Sequence, residues 1–302
     1  MNILSLLLQT LVGGIGIGSL YALVALGQSM VYRSMGFINF ANGSIYMIGT
    51  YFGIIWYRGM VMAQHYYKVP YALAFFIGIA LNACLGVLLE RIFRPLAHLD
   101  LRLTMLGTIG LAYVLDNLAI IFMPGHAEGF AVNSPLSDKP IMVGKVALLP
   151  QMLLLIFVAG VLMVLLNMFL TRAKIGIAMR AAAQDRETAS AMGISVNATN
   201  ALTFAIGSGL AAAAGILAAP IVYVNPAMGS AVGQKGFAAF ILGGAGSIPG
   251  AIVGGLTFGV LEAISAGYIS SAYTKGIAFV VTVLVLMVKP AGIVGEARVD
   301  KV

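Results

Sequence analysis

Long stretches without charge are the feature that most constrains how this chain can fold. Several windows reach or approach the roughly 20 residues that a helix needs to cross a bilayer. Only 9% of the 302 residues are charged, whereas soluble domains carry roughly 25%. We therefore predict an all-α integral membrane protein, a polytopic bundle of about eight or nine transmembrane segments, some of them broken or re-entrant. Residues 1–302 are expected to form a single transmembrane domain.

Charged and turn-forming residues set the limits of the predicted spans. The uncharged window 188–234 is longer than one span, so we place a turn at residues 223–226. The stretch 243–250, GGAGSIPG, is expected to be either a connection between two spans or a broken or re-entrant helix. Its hinge residues would be Gly243, Gly246, Pro249 and Gly250. The predicted spans are 6–32, 43–57, 70–90, 103–123, 150–170, 200–223, 236–247, 250–268 and 274–289.

The distribution of basic residues predicts the orientation. Most of the 17 Lys and Arg residues fall on one face of this topology, and the smaller share on the other face is Arg58, Lys68, Lys139, Lys145, Lys235 and Lys275. Cytoplasmic loops carry an excess of Lys and Arg. The first face is therefore expected to be cytoplasmic, with the N-terminus outside. The net charge of +7 reflects this bias and does not indicate nucleic-acid binding.

Small residues recur at four-residue spacing in several spans. Examples are Gly14 with Gly18, and Gly255 with Gly259. Lipid supplies no hydrophobic drive for helix association, so small residues that let backbones approach closely are typical of membrane helix interfaces. We expect these residues to pack within the bundle or against a second membrane subunit.

A polar insert at residues 171–199 interrupts the apolar sequence, and its charges predict that it meets a soluble partner. Residues 187–193, ETASAMG, have the form E-x-A-x-x-x-G on a predicted short amphipathic helix, and Gly193 suits a helix C-cap. The pattern resembles the cytoplasmic coupling loop of ABC importer permeases, where E-A-A-x-x-x-G docks in a cleft of the ATPase. Thr188 replaces the first Ala, and the I-x-L-P continuation is absent. A plain solvated helix is the alternative.

Further fragments resemble the LivH branch of branched-chain amino-acid ABC permeases, in family order over nearly the entire chain. They are INFANG (38–43), ER followed by RPL (90–96), MRAAAQD (179–185), ALTF (201–204), GFAA (236–239), GGAGSIPG (243–250) and KP (289–290). Asn42 departs from the family, which commonly has His there. The resemblance implies a permease subunit of a binding-protein-dependent importer in the bacterial inner membrane. Its cargo would be branched-chain or related amino acids, with urea, amides, other amino acids and aromatic acids left open.

The resemblance also implies partners. They are a second permease chain, LivM-like rather than a copy of this chain, two cytoplasmic ATPase subunits and a periplasmic solute-binding protein. ATP and Mg²⁺ would be held by the ATPase subunits. This chain has no G-x-x-x-x-G-K-[ST] motif. Gly144 and Lys145 could supply the G-K pair only if residue 139 were the first Gly of the motif, and residue 139 is Lys. We therefore expect no cofactor in this chain and no enzymatic activity. The ATPase-coupling residues would be Arg180, Gln184, Asp185, Arg186, Glu187, Ala189 and Gly193.

Polar residues within or between spans are candidates for a substrate pathway. They are Asn39, Asn42, Asp116, Asn117 and Glu262. An ionised carboxylate at mid-bilayer is costly, so the two acids are expected to face protein or water. A helix-to-helix hydrogen bond is the alternative for each acid. Asn39 and Asn42 flank a break between apolar segments, where backbone and amide groups can meet a polar solute, and a simple turn is the alternative.

Two rival functions stay open, and catalytic or metal chemistry has no residue support. Residues 225–227, NPA, invite a passive channel for small polar solutes, although residues 39–41, NFA, are a poor second copy of that triplet. An ion-coupled secondary transporter would use Asp116 and Glu262. Uptake that collapses with the ion gradient, and not with removal of ATP, would identify it. His65, His98 and His126 lack metal-ligand spacing, and no catalytic constellation is present.

Overall fold

The computed structural model describes residues 3–58, 69–123, 129–136, 139–143, 146–269 and 274–295, and these are mostly helical. The helices are α1 (Ile3–Met35), α2 (Asn42–Arg58), α3 (Tyr71–Leu99), α4 (Leu101–Phe122), α5 (Pro150–Arg172), α6 (Lys174–Gln184), α7 (Arg186–Ala191), α8 (Val196–Ala218), α9 (Met228–Gly243), α10 (Ile248–Tyr268) and α11 (Thr274–Val288). Strands β1 (Ile141–Val143) and β2 (Val146–Leu148) pair antiparallel, with Ile141 opposite Leu148.

Six of the described helices are long and apolar enough to cross a membrane, namely α1, α3, α4, α5, α8 and α10. The helices α2, α9 and α11 are shorter, with 17, 16 and 15 residues. The prediction of an all-α polytopic membrane protein is therefore confirmed. The turn predicted at 223–226 lies between α8 and α9. The start of α9 at Met228, in contrast, precedes the predicted span at 236–247.

Two halves of the chain, α1–α4 and α8–α11, pack in equivalent ways. The helix α1 packs most extensively against α10, and its counterpart α8 packs against α3. Both pairs are antiparallel. Gly14 and Gly18 of α1 meet Val260 and Leu256 of α10 in reverse order. The counterparts α1 and α8 also run in opposite directions, since Gly27 packs on Gly207 and Ser34 bonds to Asn200. The halves are therefore related as inverted repeats, an arrangement that many transporters use.

The close approach of α1 and α10 explains the glycine spacing. A Cβ atom built at Gly14 would lie 2.8 Å from the Cα atom of Val260, and one at Gly18 would lie 2.9 Å from the Cα atom of Leu256. Real side chains do not tolerate such distances to backbone atoms. The small-residue spacing therefore serves packing within the bundle at this position.

Most of the helix ends collect at two opposite ends of the bundle. At one end, the C-terminus of α1 lies beside α7 and the start of α8. At the other end, the Tyr71 hydroxyl donates to the carbonyl of Ile216 (2.8 Å), and Phe130 forms an isolated antiparallel bridge with Val224. The helices α6 and α7 thus lie at the end that the Lys and Arg distribution assigns to the cytoplasm, and that side of the membrane stays a prediction.

The 243–250 stretch is a tight turn between α9 and α10, and the broken or re-entrant helix considered for it is not observed. Gly244 and Gly246 adopt φ values of +115° and +83°. The Ser247 hydroxyl caps α10 by accepting from the N–H of Gly250 (3.1 Å), and Pro249 lies in the first turn of α10. The C-terminal segment packs on this turn, where the N–H of Val294 donates to the carbonyl of Gly243 (3.0 Å). Gly243 and Gly250 are in close backbone contact, so these residues form a packed joint.

Lys235 lies within α9, so its assignment to a loop on the outer face is wrong. It forms an ion pair with Glu262 of α10, and its ammonium group also donates to the Tyr21 hydroxyl (2.9 Å). A paired lysine can enter an apolar helix because its charge is compensated inside the protein. From the sequence alone, Lys235 is an unpaired charge that a span could not contain. For that reason the predicted span starts at residue 236, although α9 begins at Met228.

Candidate functional site

The helices α2 and α9 both begin inside the bundle rather than at its ends. Gly36 ends α1 with φ +77°, and the chain then returns alongside α1. The Asn42 side chain, at the first residue of α2, donates to the carbonyl of Val24 (3.1 Å), well before the end of α1. Gly236 of α9 packs against the same Val24. Two helix N-termini, with the partial positive charge of their free N–H groups, are therefore placed in the interior.

Glycines let the N-terminal turns of α2 and α9 cross in backbone contact. A Cβ atom built at Gly43 would lie 2.9 Å from the Cα atom of Gly233 and closer still to the carbonyl oxygen of Gly229. The sequences around the crossing are NFANG (39–43) and NPAMG (225–229). The two triplets thus occupy equivalent places in the inverted repeats, which explains their likeness without a channel.

The segments before the two helices differ in their hydrogen bonds. The Asn39 carboxamide oxygen accepts from the N–H of Ala41 (3.0 Å). The Gln28 amide, in the orientation that satisfies both groups, donates to the carbonyl of Asn39 (3.0 Å) and accepts from its N–H (3.1 Å). At the equivalent position, the Asn225 carboxamide oxygen is buried without a partner within the described residues. The break before α2 is therefore held by side-chain hydrogen bonds to Asn39, whereas the break before α9 is held by the backbone bridge between Val224 and Phe130.

A cavity of about 320 Å³ lies where α2, α4 and α9 meet. Phe40 and Phe237, with ring centroids 5.9 Å apart, are both part of its wall. Asp116 is the only acidic or basic residue in the described lining. The lining comprises Gln28, Asn39, Phe40, Asn42, Gly43, Ser44, Ile109, Ala112, Tyr113, Asp116, Gly229, Ser230, Gly233, Gln234 and Phe237. A chamber of this size falls at the lower end of small-molecule sites, which are roughly 300–1,000 Å³.

The structure brings three of the five predicted pathway residues together. Asn39, Asn42 and Asp116 line the cavity. Asn117 is exposed on another face of α4, where its amide donates to the carbonyl of Tyr113 (2.7 Å). Glu262 lies outside the cavity lining and accepts from the hydroxyl of Tyr21 (2.7 Å) in addition to its ion pair.

Sequence reasoning missed four polar lining residues. They are Gln28, Ser44, Ser230 and Gln234. None is charged, and none lies at a break in the hydrophobic pattern. The sequence shows each of them only as an amide or hydroxyl side chain inside an uncharged window. This does not indicate which helices face one another, so it does not predict that these side chains share a cavity.

Within the described residues, no three His, Cys, Asp or Glu side chains come together as a metal site. The cavity wall instead offers amide and hydroxyl groups, one carboxyl group and three aromatic rings. Such a wall can bind and orient a small polar solute with an apolar portion.

The polar insert contains α6 and α7, and α7 has the predicted helix and C-cap. Asp185 caps its N-terminus by accepting from the N–H groups of Glu187 and Thr188, both at 3.0 Å. Gly193 follows the helix with φ +84°. Its N–H donates to the carbonyl of Ser190, and the next N–H donates to the carbonyl of Ala189, both at 3.0 Å. These two bonds form a Schellman motif, which satisfies the terminal carbonyls of the helix.

The polar insert is tied to the bundle at the ends of α1 and α8. The Arg186 guanidinium donates to the carbonyl of Ser34 (2.6 Å), and the Ser34 hydroxyl donates to the side chain of Asn200 (2.6 Å). Ala189 is buried, and Arg180 lies beside Ser34 in a small pocket. Several residues predicted for ATPase coupling therefore hold the loop in place.

Most of the residues predicted for ATPase coupling lie on the surface that a partner could reach. Gln184, Asp185, Arg186, Glu187 and Gly193 are exposed, whereas Arg180 is half-buried and Ala189 is buried. Met192, which was not predicted, is 79% exposed at the end of α7. A groove of about 590 Å³ runs beside α7 and is lined also by the ends of α1 and α3 and the start of α8. An exposed Met next to a groove is typical of an adaptable docking surface.

The cap of α7 is expected to depend on pH. Hydrogen bonds from the Thr188 hydroxyl and N–H and from the Glu187 N–H hold the pKa of Asp185 below its usual value. Because this pKa is lower in the folded than in the unfolded chain, the cap contributes fully above the unfolded-state pKa. Its contribution is lost as the pH falls through the lowered pKa. Exchange of the Glu187 and Thr188 amides, corrected for intrinsic rates, should therefore accelerate at acidic pH.

Two variants separate the charge of this cap from its geometry. Asp185→Asn keeps an acceptor at the N-cap and should remove the pH dependence, whereas Asp185→Ala should expose both amides at every pH. Equal protection of these amides in the Ala variant and in the natural chain would show that Asp185 does not cap α7.

Comparisons with known proteins agree with this architecture. Residues 10–286 match a family model described as "Branched-chain amino acid transport system / permease component". The chain is 34% identical over 314 residues to the high-affinity branched-chain amino acid transport system permease protein LivH of Escherichia coli, covering 98% of this chain and 97% of the relative. It is 37% identical over 303 residues to BraD of Pseudomonas aeruginosa, a permease of the same description, with 98% of both chains covered.

A more distant relative comes from an archaeon. It is the probable branched-chain amino acid transport permease protein LivH of Methanocaldococcus jannaschii, 30% identical over 302 residues, with 94% of this chain and 91% of the relative covered. The matches include both inverted repeats, the helix crossing at Gly43 and the polar insert. This chain belongs to the family of branched-chain amino acid transport permeases.

Proposed function

We propose that this multi-pass inner-membrane protein is the permease subunit of a binding-protein-dependent ABC importer that moves branched-chain or related amino acids into the cytoplasm. The observation that carries the proposal is the cavity at the crossing of α2 and α9. Two helix N-termini there favour the carboxylate of an amino acid, and apolar wall residues favour an aliphatic side chain. ATP would be hydrolysed by two partner subunits. A second permease chain and a periplasmic binding protein would complete the complex.

The connection from α7 to the cavity supports a route for the conformational change. Arg186 holds the carbonyl of Ser34 near the end of α1. The chain then runs through Gly36 to Asn39, which lines the cavity. A movement of α7 imposed by ATPase closure would therefore displace the segment that precedes α2. Displacement of that segment would change access to the cavity from one side of the membrane to the other.

Reconstitution of the complete complex in vesicles tests the proposal. Radiolabelled leucine should accumulate only when ATP is present on the ATPase side and the loaded binding protein on the other. Dissipating proton and sodium gradients should leave this uptake unchanged. Uptake that collapses with an ion gradient and persists without ATP would identify a secondary transporter. Solute that only equilibrates would identify a passive channel.

Disruption of α7 is expected to uncouple ATP hydrolysis from uptake. Glu187→Lys reverses an exposed charge, and Gly193→Val places a β-branched residue at φ +84°, which breaks the end of the helix. Loss of about 1–3 kcal/mol of coupling free energy corresponds to about a 5- to 150-fold fall in amino acid transported per ATP. Uptake and ATP hydrolysis measured in the same vesicles give this ratio.

Two matched variants control for insertion and folding. Gly193→Asn should retain coupling because Asn tolerates the left-handed conformation. Thr171→Ala alters an exposed residue at the same end of the bundle outside α7 and should also retain it. Natural coupling ratios in both Glu187→Lys and Gly193→Val would rule out α7 as the ATPase contact.

A further inference from the structure

Three acidic residues lie within the described apolar helices, and two of them have a basic partner. Glu90 is fully buried in α3 and forms a bidentate pair with Arg94, at 2.6 and 3.0 Å. Glu262 of α10 pairs with Lys235 of α9. Carboxylates at membrane depth are costly, and they are almost always paired. Both residues follow this rule.

Asp116 is the third acid, and it has no basic partner among the described residues. It projects from α4 on the face that lines the cavity, at helical spacing from Ile109, Ala112 and Tyr113. One of its carboxylate oxygens is buried and makes no hydrogen bond within the described part of the chain. A buried polar atom without a partner costs free energy. A donor supplied by the transported solute would remove that cost.

The rest of the cavity wall restricts what the solute donor can be. A metal ion takes several oxygen ligands, whereas Asp116 is the only carboxyl group in the described lining. An ammonium group needs only one carboxylate for a charge-assisted hydrogen bond. Phe40, Ile109 and Phe237 form an apolar wall. The side-chain amide of Gln234, also in the wall, has no hydrogen-bond partner within the described residues. The wall therefore suits a molecule that combines an ammonium group, an acceptor and an aliphatic portion.

We infer that Asp116 binds the α-ammonium group of the transported amino acid. The cavity thereby selects neutral aliphatic amino acids against urea, amides and carboxylic acids without an amino group. This inference rests on the proposed function and adds the residue that recognises the substrate class. Asp116 would also hold the solute after the binding protein has released it, while access to the cavity switches from one side of the membrane to the other.

The test compares variants of the complete complex in vesicles, with leucine-loaded binding protein at saturation. Asp116→Asn should lower leucine transported per ATP by about 10-fold or more, the size expected when a charged hydrogen-bond partner is lost. ATP hydrolysis stimulated by the binding protein should persist, because α7 and its contacts are unchanged. Asp116→Glu should restore most of the transport ratio. Leu118→Ala, on another face of α4, serves as the matched control.

Failure of the inference and failure of the proposed function are distinguishable. Absence of ATP-dependent leucine uptake by the natural complex would reject the function. A natural transport ratio in Asp116→Asn, beside ATP-dependent uptake by the natural complex, would overturn only the role of Asp116. A merely structural role would lower stimulated ATP hydrolysis and uptake together, and it would not be reversed by restoring the charge.

If Asp116→Asn does not assemble, chemical restoration of the negative charge in an assembled complex tests the role of Asp116 instead. Cys84 is the single cysteine of the chain, so Asp116→Cys in a Cys84→Ser background offers one thiol. After assembly, modification with 2-sulfonatoethyl methanethiosulfonate adds a negative group, and the 2-aminoethyl reagent adds a positive group of similar length. Recovery of leucine transport with the negative group alone supports the inference. No recovery, or equal recovery with both reagents, overturns it.

Discussion

Gly43→Val is expected to abolish amino acid uptake and to lower the thermal stability of the purified protein. A Cβ atom at this position would lie 2.9 Å from the Cα atom of Gly233 and would collide with the carbonyl of Gly229. Both neighbours are backbone atoms, which cannot move aside by changing a rotamer. Overpacking in a core typically costs about 1–3 kcal/mol. Here it would also separate the two N-termini that form the cavity. Thermal unfolding in detergent and uptake in vesicles measure the two effects.

The partner position and a distant glycine provide the controls. Gly229→Val should act in the same way, because its Cβ atom would lie 2.8 Å from the carbonyl oxygen of Gly43. Gly110→Val lies in α4 with no atom within 4 Å of the added Cβ atom, so it should leave stability and uptake close to natural. If Gly43→Val and Gly110→Val behaved alike, close contact at the crossing would not be needed for transport.

The membrane fold was largely predictable because bilayer thickness imposes a length on every uncharged window. The helices α1, α5 and α10 follow from that rule. The start of α9 does not, since Lys235 interrupts the apolar pattern. The partner that compensates this charge, Glu262, is 27 residues away in sequence and on another helix. Pairing between helices is a tertiary property, which a hydrophobic pattern does not contain.

The cavity was predictable only in part, for a similar reason. Asn39 and Asn42 lie at a visible break between apolar segments, and Asp116 is a rare charge within one. Ser230 and Gln234 carry neither signal. They line the cavity only because inverted repeats bring the start of α9 against the start of α2. The similar triplets at 39–41 and 225–227 were the feature of the sequence that indicated the inverted repeats.

Lys235→Met is expected to be among the most destabilising single changes in the described bundle. The Lys235 and Glu262 side chains are only 17% and 14% exposed, so removal of the lysine leaves a carboxylate without its counter-ion between helices. Breaking a buried pair in this way costs about 3–5 kcal/mol. The Tyr21 hydroxyl would still donate to Glu262 (2.7 Å), but a neutral donor does not compensate a full charge. Thermal unfolding of the purified variant should show the loss.

The double variant Lys235→Met with Glu262→Gln should regain most of this stability, because it removes both charges and keeps a hydrogen-bonding partner for Tyr21. Replacing both members of a buried ion pair with uncharged residues is often neutral or stabilising. The same protein distinguishes the rival mechanism. An ion-coupled transporter that uses Glu262 would lose uptake in the double variant however stable it is, whereas a packing role predicts ATP-dependent uptake near the natural level. If the double variant were no more stable than Lys235→Met, the uncompensated charge of Glu262 would not be the cause of the loss of stability in the single variant.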